Sequence, residues 1–358
     1  MSVGTQPLGP VMLDVAALRL DDADRARLQH PLTGGIILFK RNFESTEQLA
    51  KLTAEIRALR SPELLIAVDH EGGRVQRFRT GYTTLPPMAA LGALWNTDRP
   101  AARRCAEASG FVIATELTAS GVDFSFTPVL DLDYGRSGVI GDRAFHADAG
   151  AVSDLASALI TGLARGGVAA VGKHFPGHGY AVEDSHVAMP VDSRALADIE
   201  AADLLPYRRL SAVLAAVMPA HVIYPQVDSA PAGFSTVWLQ MILRRELGFS
   251  GMIFSDDLSM QGATVAGSIV ERAQAALAAG CDMVLVCNQP LLVDELLAGL
   301  QWEPHEGWAE RVARMRARPS YSSLDELHSD PVYRTALAEL QPVLAAAAVS
   351  SATGITRS

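Results

Sequence analysis

The chain has 358 residues, 49% hydrophobic and 20% charged, with 30 Lys and Arg against 40 Asp and Glu for a formal charge of −10. That apolar content supports a large core and excludes a disordered chain; the acidic balance speaks against sequence-independent nucleic-acid binding and against residence on an anionic membrane. No apolar run approaches the roughly 18 residues of a membrane helix. The start has neither a basic nor an apolar leader region, and Cys105, Cys281 and Cys287 read as reduced thiols of a cytoplasmic protein.

Short apolar runs alternate with longer helical patterns. The runs are Pro10–Val15, Gly35–Phe39, Leu64–Val68, Phe124–Leu130, Ala169–Gly172, Val213–Met218, Met252–Phe254 and Met283–Val286. Continuous apolar runs suit strands buried on both faces, as in a parallel sheet. Between them, Ser45 and Gln48 are spaced as a capping box before the stripe Leu49, Leu52, Ile56 and Leu59, which Ser61-Pro62 ends. Val152, Leu155, Ala156, Leu159, Ile160 and Leu163 form a second stripe, with Gly166 expected as its left-handed cap. Helices are further predicted over Ala101–Ser120, Val237–Leu247 and Val265–Ala279, each followed by a glycine. Eight strands alternating with helices predict an α/β fold, a single (β/α)8 barrel of the TIM type with C-terminal helices over residues 1–344. A doubly wound open sheet is the alternative. Residues 345–358 read as a disordered tail.

The polar residues concentrate just after these runs: Lys40-Arg41-Asn42, Asp69-His70-Glu71, Asp131-Leu132-Asp133, Lys173-His174, His221, Asp256-Asp257 and Asn288. In a parallel barrel these all reach the carboxyl rim, where active sites are built. Four segments stand out. In Val68–Arg77, Asp69 can accept sugar hydroxyls, and arginines beyond the Gly72-Gly73 turn can fold back on it. In Ile140–Phe145, Asp142-Arg143 suits a surface pair and a binding role equally.

Lys173–Gly179 followed by Asp184-Ser185-His186 brings three histidines and a lysine into 14 residues. Its glycines and proline predict a mobile loop. In an extended stretch, residues two apart face the same way, so Asp184 can bond the His186 ring and prepare it as a general acid/base. Gly251–Met260 delivers two adjacent carboxylates to the rim, one suited to nucleophilic attack. Capping the next helix suits Asp257 better than Asp256.

Together these motifs, with Leu243-Arg244-Arg245-Glu246 leading into the last of them, resemble glycoside hydrolase family 3 in its bacterial β-N-acetylglucosaminidase branch, over roughly Leu8 to Gln289. The resemblance implies a retaining exo-β-N-acetylhexosaminidase with Asp256 as nucleophile and His186 as acid/base in a dyad with Asp184. It implies sugar contacts at Asp69, Arg77, Arg143, Lys173 and His174. The implied substrate is GlcNAc-1,6-anhydroMurNAc, with or without peptide, cleaved at its β-1,4 bond during cell-wall recycling in the cytoplasm. No metal or other cofactor is expected, no nucleic-acid or membrane partner, and a monomer is the expected state. Two other readings stay open: a metal-dependent barrel hydrolase using His174, His178, His186, His221 and Asp256, and a non-catalytic sugar-binding barrel.

Overall fold

In the computed structural model, which describes residues 7–182 and 189–344, the eight apolar runs form one parallel sheet. Its strands are β1 (Val11–Leu13), β2 (Thr33–Leu38), β3 (Leu65–Val68), β4 (Phe124–Ser125), β5 (Val171–Phe175), β6 (Ala216–Pro219), β7 (Met252–Asp257) and β8 (Met283–Val286). Their spatial order is β4-β3-β2-β1-β8-β7-β6-β5. The gap between β4 and β5 is bridged beyond the end of β4, where Val129 pairs with Lys173. There the Val171 amide also donates to the Thr127 carbonyl at 2.8 Å. The strand order and this bridge close the barrel and exclude the open doubly wound sheet. Every strand is buried on both faces up to its end, which is why the sequence shows continuous apolar runs rather than alternation. Phe124, Phe126 and Phe254 fill the interior with ring centroids 5.3–5.5 Å apart.

The helical expectations hold with local corrections. Helix Thr46–Ala58 is capped by Ser45, whose Oγ accepts from the Gln48 amide at 3.1 Å. The return half of the predicted capping box is missing. The Gln48 side chain instead accepts from the Glu44 amide and donates to the carbonyls of Leu18 and Asn42, tying the helix to the β1 and β2 loops. Helix Ala149–Arg165 carries the second stripe, but the left-handed residue after it is Gly167 (φ 82°), not Gly166 (φ −84°). The segment predicted as Val265–Ala279 divides into a short turn, Gln261–Ala266, and a helix, Ile269–Ala279. The division falls where Ser268 and Glu271 form a complete capping box and restart the helix. Val237–Glu246 is wound wider than an α-helix, and the Leu247 amide after it reaches the Ile242 carbonyl five residues back.

Helices Trp308–Arg314, Leu324–Ser329 and Pro331–Glu339 follow the barrel. The last is held to helix Arg99–Ala119 by Tyr333, which donates to Glu116 at 2.5 Å, and by Cys105, which donates to the Glu339 carbonyl. The predicted tail, 345–358, lies outside the described residues. Among the described residues no helix is long and apolar enough to cross a membrane.

Candidate functional site

A cavity of about 390 Å³ opens at the carboxyl rim, within the range of small-molecule pockets. Asp69, Arg77, Arg143, Lys173, His174 and Asp256, from four separate stretches of sequence, all line it. Phe126 and Leu285 from the barrel interior also reach it, so the core forms part of its wall.

The Asp69 segment is not the simple loop its glycines suggest. It folds into a small antiparallel hairpin, His70–Gly72 with Val75–Gln76, at the end of β3. Gly72 has φ 107°, and a Cβ there would stand 2.6 Å from the Pro86 carbonyl oxygen. Both backbone angle and space therefore require glycine. The hairpin presents Asp69 and Glu71 to Lys173, which is itself part of β5 rather than of the loop after it. Lys173 Nζ lies 2.8 Å from Asp69 Oδ1 and 2.6 Å from Glu71 Oε1. Arg77 reaches Asp69 only at 3.5 Å, and its buried Nε has no hydrogen-bond partner among the described residues.

Glu71, which the sequence marks only by its place on the rim, is central to the site. It is buried and holds Arg143 through two parallel bonds, Nε to Oε2 at 2.9 Å and Nη2 to Oε1 at 2.8 Å. Burial alone would raise its pKa, but the charges of Arg143 and Lys173 outweigh burial and keep the carboxyl well below its ordinary range. Asp69 is lowered too: burial again opposes, and Lys173 then Arg77 prevail. Arg143 pairs inward with Glu71, while its neighbour Asp142 pairs with Arg74 at the surface, 2.9 Å away. No sequence signal linked Glu71 to Arg143 beyond its place beside Asp69.

Asp131 is a second residue that the sequence marks only by its place on the rim. It is buried, and its Oδ2 lies 2.6 Å from His174 Nδ1. Its Oδ1 accepts from the His178 amide at 2.6 Å. Burial raises the carboxyl, and the facing His174 more than offsets this, so the net shift is downward. His178 also lines the cavity, and its pKa is lowered by burial and then by the charge of His174. Lys173–Gly179 is thus not a loose loop: residues 173–179 are all buried.

Asp184 and His186 lie outside the described residues. The flanking stretches share one cluster. Arg194 ion-pairs with Asp192 (2.6 Å) and Asp203 (2.8 Å), and its guanidinium lies over the rings of Tyr134 and Tyr180.

The Asp256-Asp257 pair ends β7 rather than following it. The Asp257 amide donates to Asp256 Oδ1 at 2.8 Å. Asp257 itself bonds to Ser259 and Cys287, and burial pushes its carboxyl up to about 6. It caps no regular helix; its partners tie β7 to the end of β8. His221 is buried after β6, stacks on Phe234 and places Nε2 3.1 Å from the Asp257 carbonyl oxygen. Asn42 serves the backbone, bonding Phe39, Val15 and Ala17. Arg41 bonds Asp14 and Asn288 at the rim. Of the residues in the metal-hydrolase reading, His174, His178 and Asp256 line the cavity and His221 does not. Among the described residues no group of three or more His, Cys, Asp or Glu is arranged to hold a metal ion.

The arrangement can do specific chemistry. A carboxylate at the rim faces a cavity in which Lys173 and Arg143 are already matched by Asp69 and Glu71. Such a site suits a neutral polyhydroxyl ligand that gains charge during reaction.

Comparison with known proteins agrees. The model of the glycosyl hydrolase family 3 N-terminal domain matches residues 10–312. A β-hexosaminidase of Methylobacillus flagellatus is 58% identical over 331 residues, covering 92% of this chain and 95% of its own length. One from Chromobacterium violaceum is 59% identical over 336 residues, 94% of each chain. NagZ of Neisseria gonorrhoeae, in its native crystal structure, superposes with a TM-score of 0.90 at 52% identity, covering 95% of this chain and 99% of its own. That protein has also been solved with N-trifluoroacetyl-D-glucosamine and with zinc ion.

Proposed function

Because the chain belongs to glycosyl hydrolase family 3 and is an enzyme of the β-hexosaminidase type, we propose that it removes β-linked N-acetylglucosamine from the non-reducing end of GlcNAc-1,6-anhydroMurNAc, with or without peptide. The reaction is a double displacement with retention. Asp256 attacks the anomeric carbon, and His186, oriented by Asp184, protonates the leaving glycosidic oxygen. The glycosyl–aspartate bond is then cleaved by water that neutral His186 deprotonates. Asp69, Lys173, His174, Arg77 and Arg143 bind the sugar, and their contacts tighten as oxocarbenium character develops. A cytoplasmic role in cell-wall recycling goes with that substrate, and so does action as a monomer without a cofactor.

The observation carrying this reading is the convergence of five sugar-binding candidates, from three separate stretches of the chain, on the cavity that Asp256 lines. A metal-dependent mechanism finds less support, since among the described residues no group of three or more His, Cys, Asp or Glu is arranged to hold a metal ion.

The test is hydrolysis of an aryl β-N-acetylglucosaminide with and without chelator, followed by 2-fluoro-sugar labelling and peptide mapping. Chelator-insensitive release with the label on Asp256 is expected, along with cleavage of GlcNAc-1,6-anhydroMurNAc. Chelator-sensitive activity and no label would replace this mechanism with the metal-dependent one.

A further inference from the structure

The carboxylate beside Asp256 has no part in the double displacement, yet both of its oxygens are hydrogen-bonded. Its position follows from a fault in the barrel. The β7–β8 ladder shifts register between Phe254 and Asp257. Across that shift, side chains replace main-chain acceptors. Ser255 Oγ accepts from the Leu285 amide at 3.0 Å, and Asp257 Oδ1 accepts from the Cys287 amide at 3.1 Å. Residues 255 and 257 are two apart on a strand and face the same neighbour, so these bonds form a pair of stitches along one seam.

Asp257 Oδ1 also accepts from the Ser259 amide at 2.9 Å, and Oδ2 lies 2.8 Å from Ser259 Oγ. That hydroxyl is in turn 3.0 Å from the Cys287 carbonyl oxygen. The network fits both protonation states. With the carboxylate ionised, the serine hydroxyl donates to Oδ2. With Oδ2 protonated, it donates to Ser259 Oγ, and the hydroxyl turns to the Cys287 carbonyl. Both amide bonds to Oδ1 persist either way. The burial that pushes this carboxyl up to about 6 therefore does not loosen the seam. The main chain of Asp257 is held at both ends of its peptide units: its carbonyl oxygen lies 3.1 Å from His221 Nε2, and its amide donates to Asp256 Oδ1 at 2.8 Å.

We propose that Asp257 is a positioning residue for the reaction: its side chain locks the end of β7 to the end of β8, and this lock aims its own main-chain N–H at Asp256 Oδ1, fixing that carboxylate for attack. The proposal rests on the reading of Asp256 as nucleophile. A misplacement of about 1 Å at a reacting atom costs on the order of 100-fold in rate, so the lock should appear in kcat and in the rate of glycosyl-enzyme formation rather than in KM.

The experiment compares Asp257→Ala, Asp257→Asn and Asp256→Ala. It measures aryl β-N-acetylglucosaminide turnover, the inactivation rate with the 2-fluoro sugar, and N-acetylglucosamine affinity. Asp257→Asn keeps the Oδ1 acceptor and offers a donor to Ser259, so it copies the protonated form. Asp257→Ala should lower kcat and the inactivation rate about 100-fold with KM and N-acetylglucosamine affinity nearly unchanged. Asp257→Asn should recover at least tenfold of that loss. Near-native kcat in Asp257→Ala would overturn the proposal, as would equal damage in the two variants. If Asp257→Ala does not fold, Asp257→Asn and Ser259→Ala decide, the latter expected to lower kcat by less than Asp257→Ala would and again without changing KM; native rates in both would overturn the proposal. Asp256→Ala separates the two ideas: persistent turnover there sinks the nucleophile assignment, whereas a dead Asp256→Ala beside a normal Asp257→Ala sinks only the lock.

Discussion

Glu71 and Arg143 meet through two parallel hydrogen bonds of 2.8 and 2.9 Å, across 72 residues of sequence. Both side chains are largely shielded, and Lys173 stands on the same carboxylate at 2.6 Å. Two proposed sugar-binding cations thus share one buried anion, and Lys173 pairs with Asp69 as well.

Replacing that anion should cost stability and activity together. Glu71→Gln leaves two buried cations short of a partner, a class of change worth about 3–5 kcal/mol. The pH dependence has a definite sign. A carboxyl lowered on folding contributes stability that is fully present above its ordinary value of 4.5 and is lost as pH falls toward the folded value. Urea titrations from pH 3 to 7 should therefore show a gap between wild type and Glu71→Gln that narrows on acidification. A gap independent of pH would remove the ion pair as its cause.

Asp131 holds His174 by a 2.6 Å contact to Nδ1. Asp131→Asn keeps the shape but removes a charge-assisted bond worth about 1.5–3 kcal/mol. The expected loss in kcat/KM is about 10- to 100-fold, measured with an aryl β-N-acetylglucosaminide. Unchanged kinetics would mean that the ring needs no such anchor to serve the sugar.

The assigned chemistry separates by leaving group. Asp256→Ala should abolish turnover of all substrates while N-acetylglucosamine still binds by calorimetry. His186→Ala should slow aryl glycosides with poor leaving groups far more than activated ones, because only the former need a proton in the first step. Equal slowing across the series would take the acid role away from His186.

Asp257 offers a stability test independent of catalysis. Its carboxyl is raised from 3.8 to about 6 by burial, so the folded state holds the proton more tightly than the unfolded chain does. Stability from this group is greatest below pH 3.8 and declines as pH rises to about 6, by about 3 kcal/mol in total. The stability difference between wild type and Asp257→Asn should move by up to that amount between pH 4 and 7, in favour of the variant at the higher pH. A flat difference would show that the carboxyl titrates at its ordinary value in the fold.

The barrel was legible in the sequence because strands buried on both faces must be apolar throughout, and all eight runs from Pro10 to Val286 became neighbours in one sheet. The cavity was legible for a related reason. Polar groups such as Asp69 and Asp256 are rare within such runs, so their clustering at the strand ends marks the rim from residue order alone. What the tertiary structure alone decided are pairings between segments distant along the chain. The pattern of residues 70–77 reads as a glycine turn, and only the folded chain shows it as a hairpin that sets Glu71 on Lys173 and Arg143. Asp131 looks like any rim acid until β5 brings His174 to it. Asp257 suits a helix cap locally and becomes a seam only where a shifted ladder leaves the Cys287 amide needing an acceptor. Periodicity and composition record what each segment must bury; which charge answers which is settled by the register of strands that are far apart in sequence, and one register decides many pairs at once.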